Sequence, residues 1–478
     1  MPEEGLSREQ VMSELKAYRQ EDPDWRDGRV FGYVFHADEE AVETIEQAYH
    51  MYLWENALDP SVFKSLLKLE TEIVAMAANH VRGDAEVVGN FTSGGTESVL
   101  LAVKTARDFA RKNKPQIKRP EMILPITAHP CFHKAAHYFD IDVVTVPIDQ
   151  QTLKADVDAV ANAITENTIL LVGSATCYAF GVCDPIEALG KLAIEHDLLL
   201  HVDGCIGGFV LSLYRQLGVD VPAYDFTVPG VTSMSMDLHK YAFAAKGASV
   251  VLYKNKELRE HQIFTHSGWT GYTIINPTIQ STKSGGPMAG AWAALKTIGR
   301  SGYLEYARSL KEATDRFVAG IEAIDGLHMM GNPEICLVAV GSDTVNIFAL
   351  CDEMKKRNWH IGPQPGAMGI KESFHMTIMP LNVDQIDDLL VDLAEAVEQV
   401  RAYENPAMIE QLKTMAATLD VDNLNDDVVN NMLAMVGVGG GGLPDDMAEI
   451  NAILDALPAP LVDRLLTAFY NDWNRYKE

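Results

Sequence analysis

Positive charge is scarce in this sequence. Its 39 lysine and arginine residues are outnumbered by 67 aspartate and glutamate residues, and the formal net charge at pH 7 is −28. A surface of that sign repels nucleic-acid phosphates and anionic lipid head groups. We therefore expect neither nucleic acid nor an anionic membrane as a main partner, and we predict a soluble, cytoplasmic protein.

Paired cysteines and long apolar runs are missing too. The six cysteines form no Cys-x-x-Cys pair and have no metal-ligand spacing, which predicts free thiols in a reducing compartment and no metal. No run of about 18 apolar residues occurs, so a transmembrane helix is not expected. The N-terminus, MPEEGLSREQ, is acidic and polar, unlike a signal or transit peptide.

The sequence does contain enough apolar material for a large core. Since 47% of its 478 residues are hydrophobic, two or three domains are expected. We predict an N-terminal helical arm over residues 1–60, a large domain over 61–300, a small α+β domain over 301–403, and an acidic helical extension over 404–478. The glycine run from Gly437 is interpreted as a flexible linker, because no Lys-Ser or Lys-Thr follows it as in a phosphate loop.

Strand-like and helix-like segments alternate in the large domain. Short apolar runs begin near residues 122, 142, 168, 198 and 248, with helical patterns over 98–112 and 185–196 between them. This alternation predicts a mostly parallel sheet covered by helices, with ligands in the loops that follow the strands. In the small domain, both ICLVAVGS and TVNIFALC predict strands, followed by a helix over 352–357.

A pair of glycines flanked by hydroxyl residues follows the strand-like segment VVGNF. The motif TSGGTES, residues 92–98, opens a helical pattern. Glycines let the backbone approach an anion, and a helix N-terminus offers unpaired N–H groups and the positive end of the dipole. Ser93, Thr96 and Ser98 add hydroxyl donors. We interpret the motif as a phosphate site; an ordinary helix cap is the alternative.

Two other loops carry ionisable residues. Lys240 follows His239 between two strand-like segments. A lysine reacts with a carbonyl only as the free amine, and burial beside a cation such as His239 or Lys246 would lower its pKa. Asp203 ends the apolar strand of HVDGC, where a carboxylate can keep a ring nitrogen protonated. An exposed lysine and a turn-capping aspartate are the ordinary alternatives.

Two aromatic candidates complete this set. His129, in TAHPCFHK after a strand, could stack on a flat ring, as could Phe132. Tyr178, in TCYAFGVCDP, could line a substrate pocket, or its loop could only cap the following helix. A phosphate cradle, a stacking ring, a carboxylate for a ring nitrogen and a Schiff-base lysine are the parts that pyridoxal phosphate requires.

From about residue 32 to 403 the sequence resembles the pyridoxal-phosphate-dependent group II decarboxylase superfamily, and within it the sphingosine-1-phosphate lyase branch. The resemblance rests on TSGGTES, HVDGC, SMDLHK, GASVVLY, NPTIQSTKSGG and AWAALKTIG. It implies an α/β, fold-type I (aspartate aminotransferase-like) homodimer with active sites at the subunit interface and pyridoxal 5′-phosphate as the cofactor.

The resemblance also implies a role for each motif residue. Lys240 would join the cofactor as a Schiff base, Asp203 would pair with the pyridine nitrogen, and His129 would stack on the ring. The residues implied to hold the cofactor phosphate are Gly95, Thr96, Ser235 and His239, with Ser281 and Thr282 reaching it from the other subunit.

Three positions depart from the lyase pattern. Phe35 and Asp59 stand where the lyases use a tyrosine and a histidine to grip the substrate phosphate, and Lys283 replaces an arginine. Phenylalanine lacks the hydroxyl donor, and like charges about 4 Å apart repel by on the order of 1 to 4 kcal/mol. Lys246, used on the same phosphate in the family, is retained. We expect the cofactor chemistry to carry over and the phosphorylated long-chain substrate not to.

The sequence therefore predicts a pyridoxal-phosphate-dependent carbon–carbon lyase that acts on an amine substrate. Its predicted substrate-binding residues are Phe35, Asp59, Tyr178 and Lys246. Amino-acid decarboxylation on the same scaffold is the alternative. An aminotransferase would need an arginine for the substrate carboxylate, and no motif identifies one. A non-catalytic scaffold would have no need of the retained lysine, aspartate, threonine and histidine.

Overall fold

The computed structural model describes residues 1–403, Ile409, Thr414 and 444–473, so the predicted linker over 437–443 lies outside the described residues. The α-helices of the described part are α1 Arg8–Tyr18, α2 Glu39–Met51, α3 Lys64–His80, α4 Gly95–Asn113, α5 Cys131–Phe139, α6 Val157–Ala163, α7 Ile186–Glu195, α8 Gly207–Gln216, α9 Lys256–Arg259, α10 Gly285–Glu322, α11 Ile347–Lys356, α12 Ile386–Val400, α13 Ala448–Ala456 and α14 Ala459–Trp473.

The strands form one large and two small sheets. They are β1 Val88–Thr92, β2 Glu121–Pro125, β3 Asp142–Val146, β4 Thr168–Ser174, β5 Leu199–Asp203, β6 Ser233–Met236, β7 Ser249–Tyr253, β8 Phe264–His266, β9 Ile274–Asn276, β10 His328–Met329, β11 Leu337–Gly341, β12 Gly362–Gln364 and β13 Ser373–Thr377. The large sheet has seven strands in the order β1-β7-β6-β5-β4-β2-β3. Every residue of β4 and β7 is buried, as in a sheet covered on both faces. The predicted mostly parallel α/β architecture is confirmed.

One strand of the large sheet runs against the others. β7 pairs antiparallel with both β1 and β6, whereas the β2–β3, β2–β4, β4–β5 and β5–β6 pairs are parallel. A parallel neighbour needs a crossover, usually a helix, but the chain between Met236 and Ser249 contains none and turns straight back. This return holds Lys240 in a loop at the carboxyl edge of the sheet.

The small domain is built on an antiparallel sheet of order β10-β11-β13-β12. Helix α10 leads into it and bends at Gly299, whose φ of 60° is left-handed. This kink lies next to the domain boundary predicted at residue 300, which stays a prediction.

The strand predicted for TVNIFALC was wrong. The Asn346 side chain accepts a hydrogen bond from the Ala349 N–H and starts α11 at Ile347. A short apolar run does not by itself distinguish a buried strand from a buried helix, and here the asparagine cap decides.

The end of the described chain contacts the small domain. The Ala448 N–H, at the start of α13, donates to Asp352 Oδ2 of α11 at 2.7 Å. No helix of the described residues is both long enough and apolar enough to span a bilayer.

Candidate active site

Loops at the carboxyl edge of the large sheet enclose a cavity of about 400 Å³. The loops follow β1, β2, β4, β5 and β6, as expected for ligand sites in parallel sheets. The predicted site residues that line this cavity together are Gly95, Thr96, His129, Tyr178, Asp203, His239 and Lys240. Five motifs that are far apart in the sequence therefore meet at one place.

The Gly-Gly motif forms the N-terminus of α4 on one wall of the cavity. A Cβ at Gly95 would lie 2.8 Å from both carboxylate oxygens of Asp237 and 2.9 Å from the Cys205 sulfur, so this position requires glycine. No side chain caps the helix, and Thr92 bonds to Ser98 rather than to a helix amide. The first amides of α4 are therefore not taken by a threonine cap.

Glu97 is a site residue that the motif analysis did not single out. Its carboxylate accepts the Ser93 N–H at 2.7 Å and the Ile279 N–H at 2.8 Å, and its side chain is buried. Glu97 thus joins the glycine loop to the segment that precedes Ser281. In the sequence, Glu97 could be recognised only as the glutamate of a helix-capping motif. Its contact with Ile279 could not be predicted, because the two residues are 182 positions apart.

Asp203 lies at the end of β5 and is 7% exposed. Its Oδ1 accepts the Cys205 N–H at 3.0 Å and the Ser235 hydroxyl at 3.2 Å. Ser235 itself is fully buried and also contacts His201 Nε2 at 3.2 Å. Ser235 therefore lies against Asp203 and is not among the residues that line the cavity, and its contact with the cofactor phosphate stays a prediction.

Lys240 is paired with a carboxylate that the sequence analysis did not consider. Its Nζ lies 3.0 Å from Oδ2 of Asp237, three residues earlier. Burial is the largest single influence and favours the neutral amine, but the charge and hydrogen bond of Asp237, together with Cys205 and Asp203, raise the pKa of Lys240 above its ordinary value. The lowered pKa expected from the sequence was wrong, because the closest charge is negative.

His239 is held beside the glycine loop. Its Nδ1 accepts the Ala248 N–H at 3.1 Å, and its Nε2 lies 3.7 Å from Oδ2 of Asp237. Burial is the main cause of a lowered pKa for His239. The ring is therefore a neutral donor oriented by the backbone.

His129 and Tyr178 line the cavity and are both exposed to solvent. His129 Nδ1 accepts the Cys131 N–H at 3.2 Å, which fixes the ring, and burial lowers its pKa. The Tyr178 ring meets His129 edge-on at 6.5 Å and stacks on His375 at 4.3 Å. The contact between Tyr178 and His375, which lies on β13 of the small domain, could not be predicted from the sequence. The two residues belong to different domains, and no local pattern around either one indicates the other.

Phe35 and Lys246 form a pair beside the cavity. The Lys246 Nζ lies 4.9 Å from the centre of the Phe35 ring, and that ring meets Tyr241 edge-on at 5.1 Å. Loss of water around the ammonium group and, second, the charge of Lys240 lower the pKa of Lys246 to about 8.

The predicted residues Asp59, Ser281 and Thr282 lie apart from this cavity and are exposed. Their two segments contact each other, since the Ala57 N–H donates to the Lys283 carbonyl at 2.8 Å. Asp59 accepts from the Ser61 N–H at 2.8 Å and from its hydroxyl at 2.6 Å. The aspartate thus caps its own turn.

Lys283 is neutralised inside the chain. Its Nζ lies 2.5 Å from Oε1 of Glu70, whose carboxylate also accepts the Phe91 N–H and the Asn90 amide at 2.9 Å. Both side chains of the ion pair are largely buried. The ammonium group of Lys283, which replaces the family's arginine, is therefore already paired with the Glu70 carboxylate.

Comparison with known proteins agrees with this geometry. The family model "Pyridoxal-dependent decarboxylase conserved domain" matches residues 63–341. A second model, "Pyridoxal-dependent enzyme, C-terminal putative HTH domain", matches residues 410–472, within the segment predicted to be an acidic helical extension.

Individual relatives are similar over most of the chain. Sphingosine-1-phosphate lyase of Oryza sativa subsp. japonica is 42% identical over 414 residues, which are 85% of this chain and 75% of that protein. "Probable L-aspartate decarboxylase" of Thermococcus gammatolerans is 30% identical over 398 residues, 83% of this chain and 99% of that protein. The structure of Burkholderia pseudomallei sphingosine-1-phosphate lyase matches with a TM-score of 0.80 at 36% identity, covering 89% of this chain and 97% of that one. The predicted fold-type I architecture is confirmed.

Proposed function

Because the chain belongs to the pyridoxal-dependent decarboxylase family and is a pyridoxal 5′-phosphate-dependent lyase, we propose that it breaks a carbon–carbon bond beside the amine-bearing carbon of its substrate. The observation that carries the proposal is the meeting of Lys240, Asp203 and the Gly95–Thr96 loop around one cavity. The greater identity to the rice lyase than to the archaeal decarboxylase favours cleavage of a bond to carbon over loss of CO₂.

The cavity fits the cofactor chemically. Three of its lining atoms, Ser174 Oγ, Thr176 Oγ1 and Asp237 Oδ1, are buried without a hydrogen-bond partner in the described part of the chain. Buried polar atoms are normally paired, so polar groups of a bound molecule are expected here. The glycine loop at the start of α4 suits a phosphate, and the buried Asp203 suits a protonated ring nitrogen.

The residue roles follow from these positions. When bound, pyridoxal 5′-phosphate supplies a conjugated ring that takes up the electron pair of the broken bond. Gly95, Thr96 and His239 would hold its phosphate, and His129 would cover the ring. Asp203 would keep the ring nitrogen protonated, and Ser235 would orient Asp203 through their 3.2 Å hydrogen bond.

Lys240 is the residue that moves a proton. Its Nζ would hold the bound cofactor, and the substrate amine would take its place there. The neutral Lys240 amine, then free in the cavity, would take a proton from a hydroxyl on the carbon next to the amine-bearing one. Loss of that proton leaves an oxygen whose electrons form a carbonyl as the carbon–carbon bond breaks, so one product is an aldehyde.

The exposed segment with Ser281 and Thr282 supports a homodimer. In our proposal these residues complete the cofactor-phosphate site of the partner subunit. Trp54, Ile275 and Ile279 are between 49% and 90% exposed near this segment. Exposed large apolar side chains that lie together mark interaction surfaces.

The substrate is proposed to be an amine whose distal end is neutral or cationic. Lys283 is paired with Glu70, and Phe35 has no hydroxyl. Asp59 lies apart from the cavity of its own subunit, and in our proposal it would place a negative charge at the site of the partner subunit, as its neighbouring segment does with Ser281 and Thr282. Of the four positions compared with the lyase pattern, Lys246 retains a positive charge that could bind a phosphate. Together, the residues at these positions should bind a phosphorylated substrate more weakly than the lyase pattern does.

Product analysis tests the proposal. The purified protein is incubated with a panel of β-hydroxy amines, phosphorylated amino alcohols and amino acids, and both aldehyde and CO₂ are measured. Aldehyde from a β-hydroxy amine is expected, and Lys240→Ala should give none. Release of CO₂ without aldehyde would establish the decarboxylase alternative instead.

A further inference from the structure

Asp237 is a charged residue of the cavity lining that has no role in the proposed reaction. It follows β6 directly, and its side chain is 3% exposed. Its Oδ2 lies 3.0 Å from Lys240 Nζ and 3.7 Å from His239 Nε2. Its Oδ1 is buried without a hydrogen-bond partner among the residues that the structure describes.

The surrounding backbone holds this carboxylate in place. The Asp237 N–H donates to the Cys205 carbonyl at 3.3 Å, and the Lys240 N–H donates to the Asp237 carbonyl at 3.4 Å. The resulting turn brings the lysine side chain back onto the carboxylate. The Gly95 backbone packs close to the carboxylate, since a Cβ there would lie 2.8 Å from both carboxylate oxygens. A side chain at position 95 would therefore displace Asp237.

The titratable groups around the pair come from three loops. They are Asp203 and the Cys205 thiol after β5, His129 after β2, and His239 and Lys246 beside Lys240. Burial keeps the thiol and both imidazoles neutral by raising the pKa of Cys205 and lowering those of His129 and His239. The carboxylate of Asp237 is therefore the nearest charged partner of Lys240.

We propose that Asp237 is a positioning residue that holds Lys240 as an ammonium ion in the chain that is free of cofactor, until the cofactor attaches. The role of Asp237 in cofactor attachment rests on the proposed function, whereas the ion pair itself rests on the 3.0 Å contact.

The pair has a consequence for loading of the cofactor. The contact slows the first attachment of cofactor to the free chain, because an ammonium ion is not a nucleophile and the proton must leave Lys240 before attack. The buried carboxylate of Asp237 thus controls how much of Lys240 is present as the free amine that can react with the cofactor.

Competitive acetylation tests the inference directly. The full-length chain is freed of cofactor with hydroxylamine and given short pulses of acetic anhydride from about pH 7 to about pH 10. Mass spectrometry then measures the labelled fractions of Lys240 and Lys246. In the wild type, Lys240 is expected to label more slowly than Lys246 throughout, because acetic anhydride reacts only with the free amine.

Asp237→Asn should reverse this order. The free-amine fraction of Lys240 rises about tenfold for each pH unit by which its pKa falls, so its labelling at neutral pH should rise accordingly. Glu97→Gln is the matched control: it removes another buried carboxylate of the cavity, one that accepts backbone N–H groups. This variant should leave the labelling of Lys240 unchanged.

Two results would overturn the inference. One is acetylation of Lys240 as fast as that of Lys246 in the wild type, a measurement that does not depend on a variant that folds. The other is an Asp237→Asn chain whose Lys240 keeps the wild-type pH profile. Uptake of pyridoxal 5′-phosphate by the wild type, followed by visible absorbance, tests the proposed function separately, so the two can fail independently.

Discussion

The ammonium group of Lys246 lies 4.9 Å from the centre of the Phe35 ring. A cation over an aromatic face is stabilised by about 0.5 to 2 kcal/mol, depending on how far it is desolvated. Tyrosine at this position in the lyase pattern would offer a hydroxyl donor as well as a ring. In this chain the ring contacts the lysine and offers no such donor to a substrate phosphate.

Substrate preference should therefore respond to two substitutions made together. Phe35→Tyr with Asp59→His restores one donor and removes one negative charge, and should raise kcat/KM for phosphorylated amino alcohols. The gain should weaken as added salt screens the charges. Phe35→Leu with Asp59→His is the matched control, because it changes the charge without adding the hydroxyl. Efficient wild-type cleavage of a phosphorylated substrate, with no gain in the double variant, would contradict the substrate proposal.

The pH dependence of substrate binding should follow Lys246. Because its pKa is lowered to about 8, its charge is present below that pH and is lost as the pH rises through it. KM for an anionic substrate should rise above about pH 8, and KM for a cationic one should fall. Lys246→Met should remove both trends. A pH profile of KM that is the same in wild type and variant would show that Lys246 does not contact the substrate.

Removing Lys240 should affect both activity and stability. Lys240→Ala should abolish turnover and the visible absorbance that borohydride fixes on the lysine. It also leaves Asp237 buried and unpaired, which destabilises a protein by about 3 to 5 kcal/mol. Adding Asp237→Asn should recover much of the free energy of unfolding in urea titrations while turnover stays absent. A single variant as stable as wild type would show that the pair contributes little.

Gly95 should tolerate no side chain. Gly95→Ala places a methyl group 2.8 Å from the Asp237 oxygens, and such overpacking destabilises by about 1 to 3 kcal/mol. We expect a lower Tm and weaker retention of cofactor during dialysis. Gly32→Ala is the matched control, because its Cβ would meet nothing within 4 Å. Equal Tm values for the two variants would contradict the close packing of the loop.

The proposed sharing of active sites between two subunits predicts complementation between two inactive variants. Lys240→Ala lacks the lysine, and the double change Ser281→Ala with Thr282→Ala lacks the residues proposed to serve the partner. A mixed dimer would contain one site with neither defect, so random mixing should restore about a quarter of wild-type sites. Refolding the variants together and measuring turnover checks this, with each variant alone as the control. No recovery in demonstrated mixed dimers would show that these residues serve their own subunit.

Much of the site was readable from local sequence. Gly95, His129, Tyr178, Asp203 and Lys240 each stand in a loop after a strand-like segment. Parallel strands align their carboxyl ends at one edge of a sheet, so the alternating pattern was sufficient to bring these loops together. Their residue types then indicated the cofactor, because a phosphate, a ring nitrogen and a carbonyl each require a different partner.

The pairing of side chains needed the tertiary structure. Asp237 lies beside Lys240 because the chain turns back into β7 without a helix, and Glu70 reaches Lys283 from another helix. A pKa depends on charges within a few ångströms, and sequence spacing does not give those distances. The expected lowering of the lysine's pKa failed for this reason.

By itself, then, the sequence determined the α/β fold and the cofactor and predicted Lys240 as the lysine that carries it, because these depend on residue types at the ends of regular segments. Tertiary structure decided which groups are neutralised and which remain available. It placed Ser235 against Asp203, the Lys246 ammonium on Phe35 and an aspartate on the reactive lysine. The physical reason is that burial and electrostatic pairing depend on distances between segments that only the folded chain defines.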